Sequence, residues 1–371
     1  MKLTITNKTN YANQSIYFYV IGLVGYVEKV NPGWWNYLKP DGTLQRCTLS
    51  DNGSDGFADY AIPLNMSEST TVIDLPQLTS GRLYISINDR LKIKVNADPK
   101  QPHGIGLALP AGWVTDPNYN ILFDSFEFTY NSGGMNCNTT QVDMFSIPIT
   151  VQLIGQQTQS RGELVAGGRS KIFSDIKANS DFAKLAVQDT KGSDLRVIAP
   201  GHGIDAGLFA ADYLDAYIKS CWTEGKSYTV TLQDSDYKGT YIGTISDGKL
   251  NFYDVSDPTK NMICSIPQPT TNEALSCSGV LAGPNTLPGA IQARIAAALN
   301  RTTLLANSQQ PTCDPTAFYQ NSPTNFYSKI RHTYHKDGNC YGFPYDDVCS
   351  LYSSDMSDPA PAELNLTLEA F

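Results

Sequence analysis

Glu127 and Asp143 are the residues of this chain whose type and spacing best suit chemistry. Glu127 lies in Phe126-Glu127-Phe128-Thr129-Tyr130-Asn131. Asp143 follows sixteen positions later, in Thr139-Thr140-Gln141-Val142-Asp143-Met144-Phe145. A pair of carboxyls is what breaking a glycosidic bond requires. One protonates the leaving oxygen, and the other activates water or attacks the sugar ring. On composition alone, a solvated strand face is the commoner reason for such acids. Two features favour chemistry here. Thr129, Asn131 and Gln141 flank the acids with uncharged hydrogen-bonding groups instead of the Lys/Glu mix of an idle surface, and strands make a rigid base.

The elements that must position the acids follow from their alternation. Glu127, Thr129 and Asn131 share one face of a strand, with Phe126, Phe128 and Tyr130 on the other. Gln141, Asp143 and Phe145 share a face opposite Val142 and Met144. Gly133-Gly134 and small polar residues lie between, which predicts a hairpin with one acid on each strand. Facing residues would then have Cβ atoms about 5 Å apart and diagonal ones about 7–8 Å.

Around this hairpin the first half reads as short strands. Ser15–Leu23, Thr71–Leu75, Arg82–Ile87, Leu91–Val95 and Ile147–Ile154 are rich in β-branched and aromatic residues and bounded by turn signals such as Asn31-Pro32-Gly33 and Asp41-Gly42. This predicts an antiparallel sandwich or barrel. After about Gly162 the character changes. Helices are expected from Phe173 to Leu185, from Ala206 to Ile218 by apolar spacing, and over Gly289–Asn300 by composition. A strand pair is expected at Ser227–Leu232 and Gly239–Ile245. The predicted division is a β domain over 1–165, joined by 335–371, and a mixed α/β domain over 166–334.

Bulk properties narrow the function. The chain has 371 residues, only 17% of them charged, with 29 Gly, 21 Pro and 21 Tyr. Its net charge of −9 argues against nucleic-acid binding, which needs a basic footprint. No apolar run approaches the roughly eighteen residues of a membrane span. Eight cysteines without a CxxC pair predict disulfides in an exported protein, with Cys264–Cys277 and Cys340–Cys349 as local bridges, although spacing does not fix pairing. The start, Met1-Lys2-Leu3-Thr4-Ile5, does not read as a signal peptide. Met1 is therefore expected to replace a removed export signal. His332 and His335 are expected on the surface. No GxSxG elbow, Cys–His nucleophile pair or phosphate loop occurs, so neither metal nor cofactor is expected. Trp34, Trp35, Tyr37 and Trp113 are candidate sugar stackers or core residues.

Phe123-Asp124-Ser125-Phe126-Glu127-Phe128-Thr129-Tyr130, followed by Asn138-Thr139-Thr140-Gln141-Val142-Asp143 and Ile147-Pro148-Ile149, resembles the central signature of glycoside hydrolase family 64, the β-1,3-glucanases of laminaripentaose-producing type. Gly81–Ile87, Phe209–Tyr217 and Tyr341–Val348 resemble further family stretches, in order. The resemblance implies a mainly β fold, a thaumatin-like barrel or sandwich joined to a smaller α/β domain across a wide groove. It implies a secreted, monomeric endo-β-1,3-glucanase that inverts, with Glu127 as general acid and Asp143 as general base. Thr129, Asn131, Thr140 and Gln141 would bind sugar near the cleavage point, with Tyr345 and Asp347 further along the groove. The expected partner is β-1,3-glucan, without nucleic acid or membrane. Between Asn131 and Thr139 the chain departs from the pattern, carrying Cys137 and no tryptophan, which puts in doubt the stacking subsite that the resemblance implies there. Two other readings stay open: a non-catalytic thaumatin-like glucan-binding or antifungal protein, and a lectin for other sugars.

Overall fold

Strands with one apolar face must bury it against another layer, and in the first half of the chain that layer is a second sheet. A computed structural model describes residues 1–113, 115–234 and 236–371. Its largest sheet runs in the order Asp355–Asp358, Gly134–Asn138, Leu122–Asn131, Leu78–Ile87, Ile16–Val27, Asn31–Leu38 and Leu44–Arg46, with Ile62–Pro63 added beside Ile16–Val27. A second sheet orders Thr158–Arg161, Ile149–Ile154, Glu363–Leu368, Lys2–Asn7 and Thr70–Asp74. Within it Lys2–Asn7 and Glu363–Leu368 pair in parallel, Leu3 with Leu364 and Ile5 with Leu366. The chain's end thus returns to its beginning, and Leu3, Phe18, Leu83, Phe126, Phe128, Val151 and Leu366 fill the space between the sheets.

The opposite face of the large sheet is where Glu127 points. Phe126 and Phe128 are buried, whereas Glu127 and Thr129 between them are partly exposed, as the period of two predicts. Part of this face carries its own cluster, with Tyr19, Tyr84, Phe123 and Met144. The rest is left as an open trough.

The later residues form further sheets and helices. Met144–Phe145 pairs with Asp194–Ile198, which pairs with Ala186–Gln188. Ser227–Gln233 and Lys238–Ser246 form the expected strand pair within a five-stranded sheet. The helix Leu287–Asn300 is capped by Thr286, whose side chain accepts the Gly289 N–H. Its alanine-rich length is buried among Leu214, Ile218, Val230, Leu250 and Tyr327. The helix expected from Phe173 spans Gly168–Ala178. The one expected over Ala206–Ile218 is not continuous. Only its end is helical, in Asp215–Cys221, while a separate short helix, Pro200–Asp205, precedes the expected span and is followed by a turn through Gly207 at φ 69°. Among the described residues no helix is long and apolar enough to cross a membrane.

Cysteine pairing also differs from expectation. Cys349 bonds Cys313 and not Cys340, while Cys264 and Cys277 are free thiols. Cys340 is buried beside His332, whose Nδ1 is 3.5 Å from its sulfur. His332 and His335 are themselves buried, not surface residues.

One buried acid ties the large sheet to the segment after Asp143. Asp124 accepts N–H groups from Ser125 at 2.8 Å, Ser146 at 2.8 Å and Ile147 at 2.9 Å. Asp124→Asn puts an amide NH2 where backbone donors converge. It is expected to cost about 1–3 kcal/mol, read from urea unfolding, because a buried donor then lacks its acceptor. An unchanged midpoint would show that the junction does not depend on this carboxylate.

Candidate active site

Glu127 sits mid-strand in Leu122–Asn131, and its neighbours come from both sides. Arg82 faces it from Leu78–Ile87, and Asn138 faces it from Gly134–Asn138. Arg82 Nη2 donates to Glu127 Oε1, and each side chain is about one-third exposed (34% and 30%). The hairpin turns at Ser132-Gly133, with Asn131 opposite Gly134. Its second strand is therefore Gly134–Asn138, not the stretch containing Asp143. The expectation of one acid on each strand of this hairpin is corrected: the residue facing Glu127 is Asn138.

Asp143 reaches the same region by another route. It immediately precedes Met144–Phe145, which pairs with Asp194–Ile198 (Met144 opposite Ile198). The Ala199 N–H donates to the Asp143 carbonyl at 2.9 Å. Its carboxylate Oδ1 lies 2.8 Å from His202 Nε2, and the side chain is 41% exposed. Burial pushes the carboxyl up, but the His202 hydrogen bond and the charges of His202 and Arg82 outweigh it. The carboxyl is held below its ordinary range and is ionised near neutrality, as a proton acceptor must be.

Two cavities meet at Arg82. One, of ≈ 540 Å³, is lined by Arg82, Glu127, Thr129, Asn136, Asn138 and Asp355. Its volume lies within the roughly 300–1,000 Å³ of ligand clefts. The other, of ≈ 180 Å³, is lined by Arg82, Trp113, Ser125, Thr140 and Asp143. Arg82 thus stands between the two carboxylates and interacts electrostatically with both. Both acids are partly exposed, each lining a cavity that Arg82 also lines.

The other predicted site residues divide. Thr129 lines the Glu127 cavity and its Oγ1 accepts the Ser80 N–H at 3.2 Å. Thr140 lines the Asp143 cavity. Asn131 is exposed at the hairpin's end, where its Oδ1 accepts the Gly133 N–H at 2.8 Å. Gln141 departs from the expectation of sugar contact. It is buried, its Oε1 accepts from Arg331 Nε at 3.0 Å, and its carbonyl accepts the Tyr327 hydroxyl at 2.6 Å. That amide anchors a buried arginine. Tyr345 and Asp347 line a separate cleft of ≈ 430 Å³ with Asp234, Tyr237 and Arg294. Desolvation, and then the charge of the Asp355 carboxylate, raise the Asp347 carboxyl.

Of the aromatic candidates, Trp34 is occupied by its own chain. The His103 ring stacks on it at 3.3 Å and the Arg46 guanidinium lies 3.4 Å from its centroid. Tyr37 stacks on Tyr60 at 3.9 Å. Trp113 borders the Asp143 cavity and stacks on His202 at 3.8 Å. Sequence reasoning assigned no role to Arg82, Asn138, Asp355 or His202. Arg82 was signalled by being the one charge in the otherwise uncharged run Gly81–Ile87, and His202 by standing between two glycines.

Comparison of the whole chain, by shape and by sequence, finds β-1,3-glucanases in both cases. The solved laminaripentaose-producing β-1,3-glucanase in complex with laminaritetraose matches with a TM-score of 0.86 at 31% identity, covering 100% of this chain and 98% of that one. The β-1,3-glucanase domain from Clostridium beijerinckii matches with a TM-score of 0.80 at 26% identity, over 100% and 98%. Glucan endo-1,3-β-glucosidases of Arthrobacter sp. (strain YCWD3) and Cellulosimicrobium cellulans are each 30% identical over 307 residues, 81% of this chain and 54% of theirs. The chain thus spans about half the length of the curated relatives it matches. The family 64 sequence profile, described as β-1,3-glucanase, matches residues 1–368. With nearly every residue inside that match, the chain belongs to glycoside hydrolase family 64, the β-1,3-glucanases.

Proposed function

We propose that this protein is a secreted, monomeric endo-β-1,3-glucanase that cleaves linear glucan such as laminarin or curdlan with inversion. Glu127 gives its proton to the departing glycosidic oxygen. Asp143 takes a proton from the water that attacks the anomeric carbon from the opposite side. The C–O bond to the leaving sugar breaks as the C–O bond to water forms, and solvent returns the proton from Asp143 to Glu127. Neither metal nor cofactor takes part. Oligosaccharide release, of pentamers in the named structural relative, is the expected product pattern.

The observation that carries this reading is the placement of the acids about Arg82. Residues directly opposite on paired strands hold their Cβ atoms about 5 Å apart, and that place beside Glu127 belongs to Asn138. Asp143 approaches from the next cavity instead. An approach from a neighbouring cavity suits the wider spacing of an inverting pair, whose carboxyls stand about 6.5–9.5 Å apart to admit a water. Thr129 and Thr140 would bind sugar hydroxyls at the cleavage point, Asn131 at the hairpin end, and Tyr345 and Asp347 further along.

The same reading sees a thaumatin-like β domain over 1–165 with 335–371, and an α/β domain over 166–334. It is supported by one buried cluster between the first two sheets and another around the Leu287–Asn300 helix. Export is supported by the Cys313–Cys349 bridge.

A proton NMR time course of laminarin hydrolysis tests the proposal. The α-anomer is expected to appear first and to mutarotate later. Initial release of the β-anomer would mean retention, and binding without product would leave a thaumatin-like glucan-binding protein as the description.

A further inference from the structure

We infer that His202 is a positioning residue for the catalytic base, fixing the Asp143 carboxylate so that one of its oxygens is reserved for water. This rests on the function proposed above. His202 Nε2 lies 2.8 Å from Asp143 Oδ1. Among the described residues nothing donates to Oδ2. A carboxylate held at one oxygen and open at the other can accept a proton from water in only one direction, and such alignment is what general-base catalysis needs.

The chain builds this contact from several parts. The His202 ring lies against Trp113, centroids 3.8 Å apart and planes 11° from parallel, so its rotation is restricted. Its backbone belongs to the short helix Pro200–Asp205, which starts where the Ala199 N–H grips the Asp143 carbonyl at 2.9 Å. Base and histidine are therefore tied through backbone as well as side chain. The flanking glycines set the helix's depth. A Cβ at Gly201 would lie 1.9 Å from Ser276 Oγ, and one at Gly203 would lie 2.3 Å from Leu185 Cδ2. Only the middle residue of Gly201-His202-Gly203 points outward, and the ring is partly exposed beside the Asp143 cavity (29%). Asp143 and, beyond it, Arg82 are the charged groups on its ring side. On its own helix is Asp205, which Asn272 of the neighbouring Thr271–Ser276 helix holds at 2.8 Å.

The consequence is a pH signature. The His202 contact opposes the effect of burial on Asp143. Its removal moves the carboxyl upward, and the acid limb of kcat/KM with it, because Asp143 must be ionised to act. His202→Ala is expected to lower kcat on laminarin by roughly 10–100-fold, the size of effect that misplacing a reacting group produces. KM should change little, and the acid limb should shift to higher pH. His202→Gln, whose amide Nε2–H reaches to a similar position, is expected to recover most of kcat and return the limb toward its original place.

The test combines pH profiles of the three proteins with a ¹³C NMR titration of the Asp143 carboxyl, which needs no turnover. An upward shift in His202→Ala that His202→Gln reverses supports the inference. Superimposable profiles and titrations overturn it, as does an activity loss that follows thermal stability with the acid limb unmoved. Should the wild type bind laminarin without cutting it, the proposed function fails instead. The carboxyl titration still decides whether His202 governs Asp143.

Discussion

Glu127→Gln is expected to lower kcat on laminarin by roughly 10²–10⁴-fold, and Asp143→Asn by a similar factor, the usual worth of a positioned proton donor or acceptor. The two losses should be distinguishable by the leaving group. A laminari-oligosaccharyl β-fluoride departs without a proton. Glu127→Gln is therefore expected to hydrolyse it close to the wild-type rate, while Asp143→Asn, still unable to activate water, is not. Both variants should fold. Glu127 gives up an ion pair with Arg82 in which each partner is about one-third exposed, and such pairs contribute about 1 kcal/mol or less. Asn at 143 keeps the shape that His202 contacts. Equal activity of Glu127→Gln and wild type on laminarin would remove Glu127 from the mechanism. A Glu127→Gln defect as deep on the fluoride as on laminarin would mean that the residue binds or positions the sugar and does not protonate it.

How far the sequence carried the site depends on the range of each interaction. Alternation is local, so the face shared by Glu127 and Thr129 could be read directly, as could the turn that reverses the chain after Asn131. Strand partners are not local. Gly134–Asn138 is short and mostly polar or small, with only Met135 and Cys137 facing the core. The later, longer Thr139–Phe145 stretch was the more persuasive partner for Glu127. Its actual ties are to residues far along the chain, Asp143 to Ala199 and His202, and Gln141 to Tyr327 and Arg331. No periodicity within the segment encodes those contacts. The same reason accounts for the cysteines and histidines. Cys340 and Cys349 are near in sequence, yet Cys349 bonds Cys313, 36 positions away. His332 looked like a surface residue because the acid that accompanies it into the interior, Asp346, lies well beyond its own helix.

That acid carries the second large effect, because Asp346-Asp347 is a pair of like residues with opposite fates. Asp347 is exposed at the cleft. Asp346 is fully buried (0%), 3.3 Å from Arg301 Nη2 and 2.9 Å from His332 Nε2, and it accepts the Gly342 N–H at 2.9 Å. Its charge is what allows two cationic groups to sit in the core. Beside Asp346 and Cys340, His332 is pushed up to about 10 despite the opposing effect of burial, so it is protonated near neutrality. Asp346→Asn preserves shape and removes the charge. Arg301 and His332 then lose that carboxylate, a change that typically costs about 3–5 kcal/mol. Asp347→Asn, at an exposed position, should stay within about 0.5 kcal/mol of wild type. Urea unfolding of the two variants makes the comparison, and equal midpoints would refute it. The effect should also reach the cleft. Arg301 holds the Asp346 carbonyl at 2.7 Å and the Val348 carbonyl at 3.0 Å, and so fixes the loop that presents Tyr345 and Asp347. If that loop binds the far part of the glucan, Asp346→Asn at a temperature where it remains folded should raise KM on long laminarin while leaving the acid limb set by Asp143 where it was.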